Sequence, residues 1–258
     1  MEKPVVVDAD GHVVEPPELL SEYIDPAFRD RIPEYVREGN REYLVPRDPT
    51  ISETPGWFPQ EKMFVVCAPN NAGRPWSEAG RPFREGLAGA WDPHARIRDM
   101  DAEGIDVAVL YPTYALGHIE DAELQGAAFR AYNRWLRDYC SAYPKRLYGV
   151  AAVALGDPAG AARELGRCVK EYDFRGAFIR PNPYVAGKKL NDPAYDPFWR
   201  ACEDLDVAIG LHPYLMADMQ GAVRGLGLEA REDIFFKQAL GNPVDMMAAL
   251  VAFTAGGV

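Results

Sequence analysis

LYGVAAVALGDPAGAARELGRCVKEYDFRGAFIRP, Leu147–Pro181, is the stretch on which the fold turns. LYGVAAVAL and RGAFIRP are apolar runs of strand length. Between them Asp157 and Pro158, an N-cap followed by proline at the first helical position, open a helix through DPAGAARELGRCVKEYDF. Strand, helix and strand make one crossover unit, which requires a parallel sheet and a right-handed connection. The alternation continues on both sides. Upstream, WDPHARIRDMDAEGID repeats the Asp-Pro start at Asp92 and Pro93, turns Ile97 and Met100 inward and stops at Gly104. IDVAVLYP, from Ile105, is a strand, and Asp121–Tyr143 is a long amphipathic helix. Downstream, DPAYDPFWRACEDLD predicts a helix, DVAIGLHP a strand, and Pro243 to about Thr254 the last helix. At the start, VVVDADGHVVEP, Val5–Pro16, begins with three β-branched residues, as a strand packed on both faces requires. Pro16–Ile24 has room for a short helix.

Five strands are therefore expected, beginning near residues 4, 105, 147, 175 and 207, in an α/β fold. A doubly wound open sheet and a (β/α)8 barrel both fit this alternation. No G-x-G-x-x-G turn follows a strand, which disfavours a dinucleotide-binding sheet. Polar residues gather instead at strand C-termini (Asp10 and His12, Tyr111, Arg180, His212), where barrel active sites are built. The expectation is one barrel domain over residues 1–258, a TIM barrel with only about five βα units present. Three more units would add roughly 100 residues, so the chain reads as C-terminally truncated. A half-barrel of this kind would expose two sheet edges. A long irregular insertion at 46–89, rich in Pro, Gly and Ser with interleaved aromatics, follows the first strand.

Composition narrows the function classes. The formal net charge is −11 with no basic run, which argues against nucleic acid and against an anionic membrane surface. The longest apolar run, MMAALVAF, is far too short to span a bilayer, and MEKPVVVD carries no signal-peptide core. The four cysteines are scattered, as for reduced, mostly buried thiols, and a cytoplasmic location is expected.

The chemistry-bearing residues lie at the strand ends. Asp10 and His12 are two apart, so in an extended chain they project to one side and offer an oxygen and a nitrogen to one divalent ion. The competing reading is a turn-capping aspartate and an incidental histidine. His212 ends the fifth strand after an apolar run and points into the barrel mouth, so three potential ligands share one face. Arg180, ending the fourth strand, is either a clamp for a substrate carboxylate or half of a structural salt bridge. Tyr111 and Tyr114 are candidate pocket residues, and His118 is either a substrate contact or an exposed loop histidine. Trp57, Phe58 and Trp76 form either a lid over a planar substrate or the packing of their own loop. His94, in the first turn of an outer helix, belongs on the surface.

VDADGHVVEP, DPHARIRDMDAEGIDVAVLYPT, RGAFIRPNP, LNDPAYDPFWRACEDLDVAIGLHP and MAALVAFTAGGV together resemble the amidohydrolase-related family that includes aminocarboxymuconate-semialdehyde decarboxylase and γ-resorcylate decarboxylase. The resemblance implies a (β/α)8 barrel with one divalent metal, zinc first, with manganese or iron as alternatives. The family's first-strand pair, H-x-H or E-x-H, falls here on Asp10 and His12 as D-G-H, and its fifth-strand histidine falls on His212. Its sixth-strand residue and its eighth-strand aspartate, which is both ligand and proton-transfer group, would lie beyond Val258, so the catalytic residue is unassigned. The activity implied is non-oxidative decarboxylation of a small aromatic or unsaturated carboxylic acid. A hydrolase using metal-activated water and a non-catalytic half-barrel that binds a ligand or partner stand as alternatives. The expected partner is a small carboxylate, with a homodimer suggested by the family.

Overall fold

Asp-Pro starts and glycine stops place the helices as the sequence predicts, and the strands between them align in one parallel sheet. The computed structural model describes residues 4–38, 41–45, 47–48, 83–116, 119, 121–181, 188–213 and 237–258. Strand β1 (Val7–His12) is followed by the short helix α1 (Leu19–Tyr23) and an antiparallel hairpin, β2 (Glu34–Glu38) and β3 (Arg41–Val45). Helix α2 (Pro93–Glu103) leads to β4 (Val107–Tyr111), α3 (Ala122–Ser141) to β5 (Leu147–Ala152), and α4 (Pro158–Tyr172) to β6 (Gly176–Ile179). Helix α5 (Asp196–Asp204), β7 (Ala208–Leu211) and α6 (Asn242–Gly256) complete the described elements. The five-stranded sheet runs β1-β4-β5-β6-β7, and every neighbouring pair is parallel. All five strands expected from the sequence are present.

The caps have the geometry their residue types provide. Asp92 accepts from the His94 amide at 2.9 Å, and Gly104 closes α2 at φ 75°, a left-handed conformation that suits glycine. Asp121 accepts from the amides of Glu123 and Leu124, each at 2.9 Å, and Asp157 from Gly160 at 3.0 Å. Helix α3 buries Leu124, Tyr132, Leu136 and Tyr139 in the main core. Its buried Asn133 serves β5 as a strand neighbour would, accepting from the Ala152 amide at 2.9 Å and donating to the Ala152 carbonyl at 3.0 Å.

Two expectations change. Val5, Val6 and Val7 are 69%, 43% and 52% exposed, not packed on both faces. Strand β1 is the outermost of the five, so its N-terminal end has a neighbour, β4, on one side only. Its pairing also shifts between Asp8 and Gly11, a bulge that re-aims the residues leading to His12. The expected helix DPAYDPFWRACEDLD divides into a 3₁₀ turn, Pro193–Tyr195, capped by Asp192, and α5. Helix α6 is apolar all round; it sets Phe253 edge-on against Trp199, with centroids 5.3 Å apart, while Met247, Leu250 and Val251 are exposed. Among the described residues no helix is long and apolar enough to cross a membrane. Cys140, Cys168 and Cys202 are free and buried, and burial pushes the Cys140 and Cys202 thiols up to about 12, so they are inert.

Candidate metal centre

The two edges of the sheet meet through their side chains. In a flat sheet β1 and β7 would be about 19 Å apart, four strand spacings. Yet His12 Nε2 lies 3.1 Å from His212 Nε2, so the sheet is curled into a half-barrel whose edge strands turn toward one another. Asp10 Oδ1 completes the cluster, 3.8 Å from His12 Nε2 and 4.0 Å from His212 Nε2. Among the described residues these three form the one cluster of converging metal-ligand side chains.

Hydrogen bonds fix what the two imidazoles present to each other. His12 Nδ1 is 2.7 Å from the Pro112 carbonyl, and His212 Nδ1 is 2.7 Å from the Pro213 carbonyl. A carbonyl oxygen only accepts, so both Nδ1 atoms carry protons, and in neutral rings both Nε2 lone pairs turn into the same small space. Burial, and then the neighbouring His212, lowers the pKa of His12 and favours its neutral form. Two facing lone pairs repel unless a cation lies between them. Nitrogens that share one ion at about 2.0–2.1 Å sit roughly 3 Å apart, so this donor set of two nitrogens and a carboxylate fits a divalent metal. The carbonyl bonds on Nδ1 are the outer support that metal-binding histidines generally have. The Asp10 side chain is 74% exposed, against 31% and 23% for His12 and His212, so the centre opens to solvent on the aspartate side.

The walls are aromatic. Tyr111, ending β4, holds its ring 6.1 Å from His12 and 6.2 Å from His212, and Phe178 on β6 lies 6.4 Å from His212. A Cβ at Gly210 would come within 2.2 Å of the Tyr111 hydroxyl, so Tyr111 crosses the inside of the curl because β7 has a glycine there. Burial, then the charge of Asp10, raises the Tyr111 hydroxyl above its ordinary value.

Of the residues singled out in the sequence, Asp10, His12 and His212 come together and Tyr111 flanks them. Arg180 is buried directly after β6, next to Ile179, whose carbonyl accepts the His212 amide at 3.0 Å. Tyr114 packs instead against the separate cluster of Val14, Phe83 and Ala90. His94 is exposed on α2, 3.0 Å from the Tyr143 hydroxyl. His118, Trp57, Phe58 and Trp76 lie outside the described residues, as does most of the 46–89 insertion. Sequence reasoning missed the residues that brace the β1 side. Arg96 donates to the His12 carbonyl and, at 2.9 Å, to that of Gly89. Thr113 donates its hydroxyl to the Val13 carbonyl at 2.7 Å. Glu15 is buried and accepts from the amides of Thr113, Tyr114 and Ala115; burial raises its carboxyl, and those amides pull against the rise. The signal for Glu15 was a lone carboxylate among Val13, Val14, Pro16 and Pro17.

The amidohydrolase family model matches residues 7–249. The chain is 27% identical over 180 residues to the 2-amino-3-carboxymuconate-6-semialdehyde decarboxylase of Dictyostelium discoideum, a match covering 69% of this chain and 47% of that protein. It is 37% identical over 123 residues to the γ-resorcylate decarboxylase of Polaromonas sp., covering 46% and 38%. The matches thus span less than half the length of either relative. Among solved structures, an amidohydrolase from Mycobacterium avium subsp. paratuberculosis is similar with a TM-score of 0.72 at 21% identity, over 98% of this chain and 68% of that one. The 5-carboxyvanillate decarboxylase of Novosphingobium aromaticivorans, solved with bound manganese, is similar with a TM-score of 0.61 at 24% identity, over 97% and 61%. At these identities the structural likeness establishes the fold, that of the amidohydrolase barrels.

Proposed function

Because the chain belongs to the amidohydrolase family, we propose that Asp10, His12 and His212 hold one divalent metal in a centre for non-oxidative decarboxylation of a small aromatic or unsaturated carboxylic acid. The observation that carries the metal is the pair of imidazoles whose Nδ1 atoms are bound to carbonyls and whose Nε2 atoms face each other at 3.1 Å. Manganese is the metal this reading favours over zinc, since the similar 5-carboxyvanillate decarboxylase was solved with it. The decarboxylases among the relatives support the reaction class.

A bound divalent ion supplies Lewis-acid polarisation of the substrate's oxygens. The chain's own residues do the rest. Tyr111 and Phe178 give a planar acid an apolar wall, and Asp10 stands at the open side where the substrate enters. Arg180, buried beside the strand that backs His212, is assigned to the substrate carboxylate, and His118 and Trp57 remain proposed substrate contacts. The thiols and acidic charge support a cytoplasmic setting.

The test is Mn²⁺ titration of the metal-stripped chain together with CO2 release from 2,6-dihydroxybenzoate. Binding at one site, weakened more than about 100-fold by His12→Ala or His212→Ala, is expected, since even supporting residues cost 10–100-fold. Binding that survives both substitutions overturns the metal assignment. Metal binding without CO2 release from this or any other aromatic acid tried rules out decarboxylation by residues 1–258 themselves and favours the ligand-binding half-barrel.

A further inference from the structure

We propose that Glu15 is a positioning residue of the metal centre, setting the peptide whose carbonyl fixes the tautomer and ring orientation of His12. The inference rests on the metal reading above and extends it to a residue outside the donor set. Glu15 is 7% exposed, and its two oxygens take three successive amides: Thr113 at 3.2 Å to each oxygen, Tyr114 at 2.9 Å and Ala115 at 2.9 Å. Consecutive amides converging in this way form an anion-holding concavity. Here a side chain from the other strand end fills it. A carboxylate is kept out of water only when it is hydrogen-bonded this thoroughly, so the arrangement is specific to that loop.

The mechanical link is one peptide plane. The Thr113 N–H and the Pro112 C=O belong to the same planar trans peptide, so they point in opposite directions and turn together. Glu15 grips the N–H side, and His12 Nδ1 donates to the C=O side at 2.7 Å. Rotating that plane would take the acceptor away from Nδ1 and free the ring to change tautomer or to swing. Thr113 Oγ, donating to the Val13 carbonyl, ties the same loop to β1 from a third direction. His212 is the internal control: its Nδ1 bonds to the carbonyl of Pro213, the next residue in the chain, and not to the β4 loop that Glu15 holds.

The experiment is NMR of the metal-free, full chain with ¹⁵N-labelled histidine, comparing wild type with Glu15→Gln, the His12 signals being assigned by their loss in His12→Ala. Gln preserves size but turns an NH2 toward the amides. The expected result is exchange of the His12 Nδ1 proton at least about tenfold faster, with the His212 proton unchanged, and Mn²⁺ affinity lowered about 10- to 100-fold. A His12 proton with wild-type shift and exchange in the folded variant overturns the proposal, and so do equal changes at both histidines, which would mean general loosening. If Glu15→Gln does not fold, wild type alone decides. One opening should release the amides of Thr113, Tyr114 and Ala115 together with the His12 Nδ1 proton; if that proton, relative to its own unprotected exchange rate, is tenfold or more less protected than the amides are relative to theirs, the link is refuted. A tautomer change at His12 in a protein that binds no Mn²⁺ keeps the positioning role and removes the metal reading instead.

Discussion

His12 and His212 face each other across one small space, but they are held there by different means. His212 is held locally: its ring bonds to the carbonyl of the next residue, and its amide to Ile179 on the adjoining strand. His12 is held from far away in the chain. Its ring bonds to Pro112, its carbonyl accepts from Arg96 on α2, and the residues after it are laced to the β4 loop through Thr113 and Glu15. Among the described residues the β7 arm is held by its own strand end and the adjoining strand, whereas the β1 arm needs the packing of α2 and the β4 loop. The difference follows from position. Strand β1 is an edge strand with an exposed N-terminal end and a bulge before the histidine, so its own backbone is a poor anchor.

Arg96→Ala is the substitution expected to separate the arms most strongly. It removes the charged donor from the carbonyls of His12 and Gly89, a loss worth about 2–3 kcal/mol for hydrogen bonds to a charged group. Urea unfolding should read that loss, and the His12 Nδ1 proton should exchange faster while that of His212 holds. Equal disturbance at both histidines would show the arms to be mechanically one unit.

Gly210→Ala attacks the comparison from the other side. The new methyl would drive into the Tyr111 ring, which flanks both histidines at nearly the same distance. A cost of about 1–2 kcal/mol is expected for this overpacking, with both arms shifted together. If only the His212 resonances move, Tyr111 belongs to the β7 arm alone.

The same contrast explains what the sequence made legible. The β7 arm could be read from AIGLHP, an apolar strand with its histidine and the bonding partner of that histidine adjacent in the chain. Asp10 and His12 could be read from their alternate spacing, but the bulge between Asp8 and Gly11 could not, because register is a property of two strands. Asp92, Asp121 and Asp157 announced their helices because capping is local. Three valines say strand and not which place in the sheet, so the exposure of Val5–Val7 depended on a strand order that no local pattern carries. The β2–β3 hairpin did have a local signal, Gly39-Asn40 between two β-prone runs. Glu15 and Arg96 had none that named their partners, which lie about 100 and 84 residues away.

The smallest effect belongs to a residue that serves neither arm, and it separates loss of stability from loss of site geometry. Asp121 caps α3 and pairs with Arg31 at 2.9 Å, away from both histidines. Asp121→Ala should cost about 1 kcal/mol at pH 7, the usual value of an N-cap, and leave both imidazole signals in place. The cost should depend on pH in a definite direction. The Leu124 amide, and then the Arg31 guanidinium, hold the folded carboxyl below its ordinary value, while unfolding returns it to about 3.9. A lowered folded pKa stabilises fully above the unfolded value and less as pH falls through the folded one. Wild type and Asp121→Ala should thus converge in stability in acid, as pH falls through the folded value. If the gap persists there, the cap works through something other than its charge. If His12 moves at pH 7, a general loss of about 1 kcal/mol is enough to disturb the β1 arm, and selective changes at that arm would no longer identify the residues that brace it.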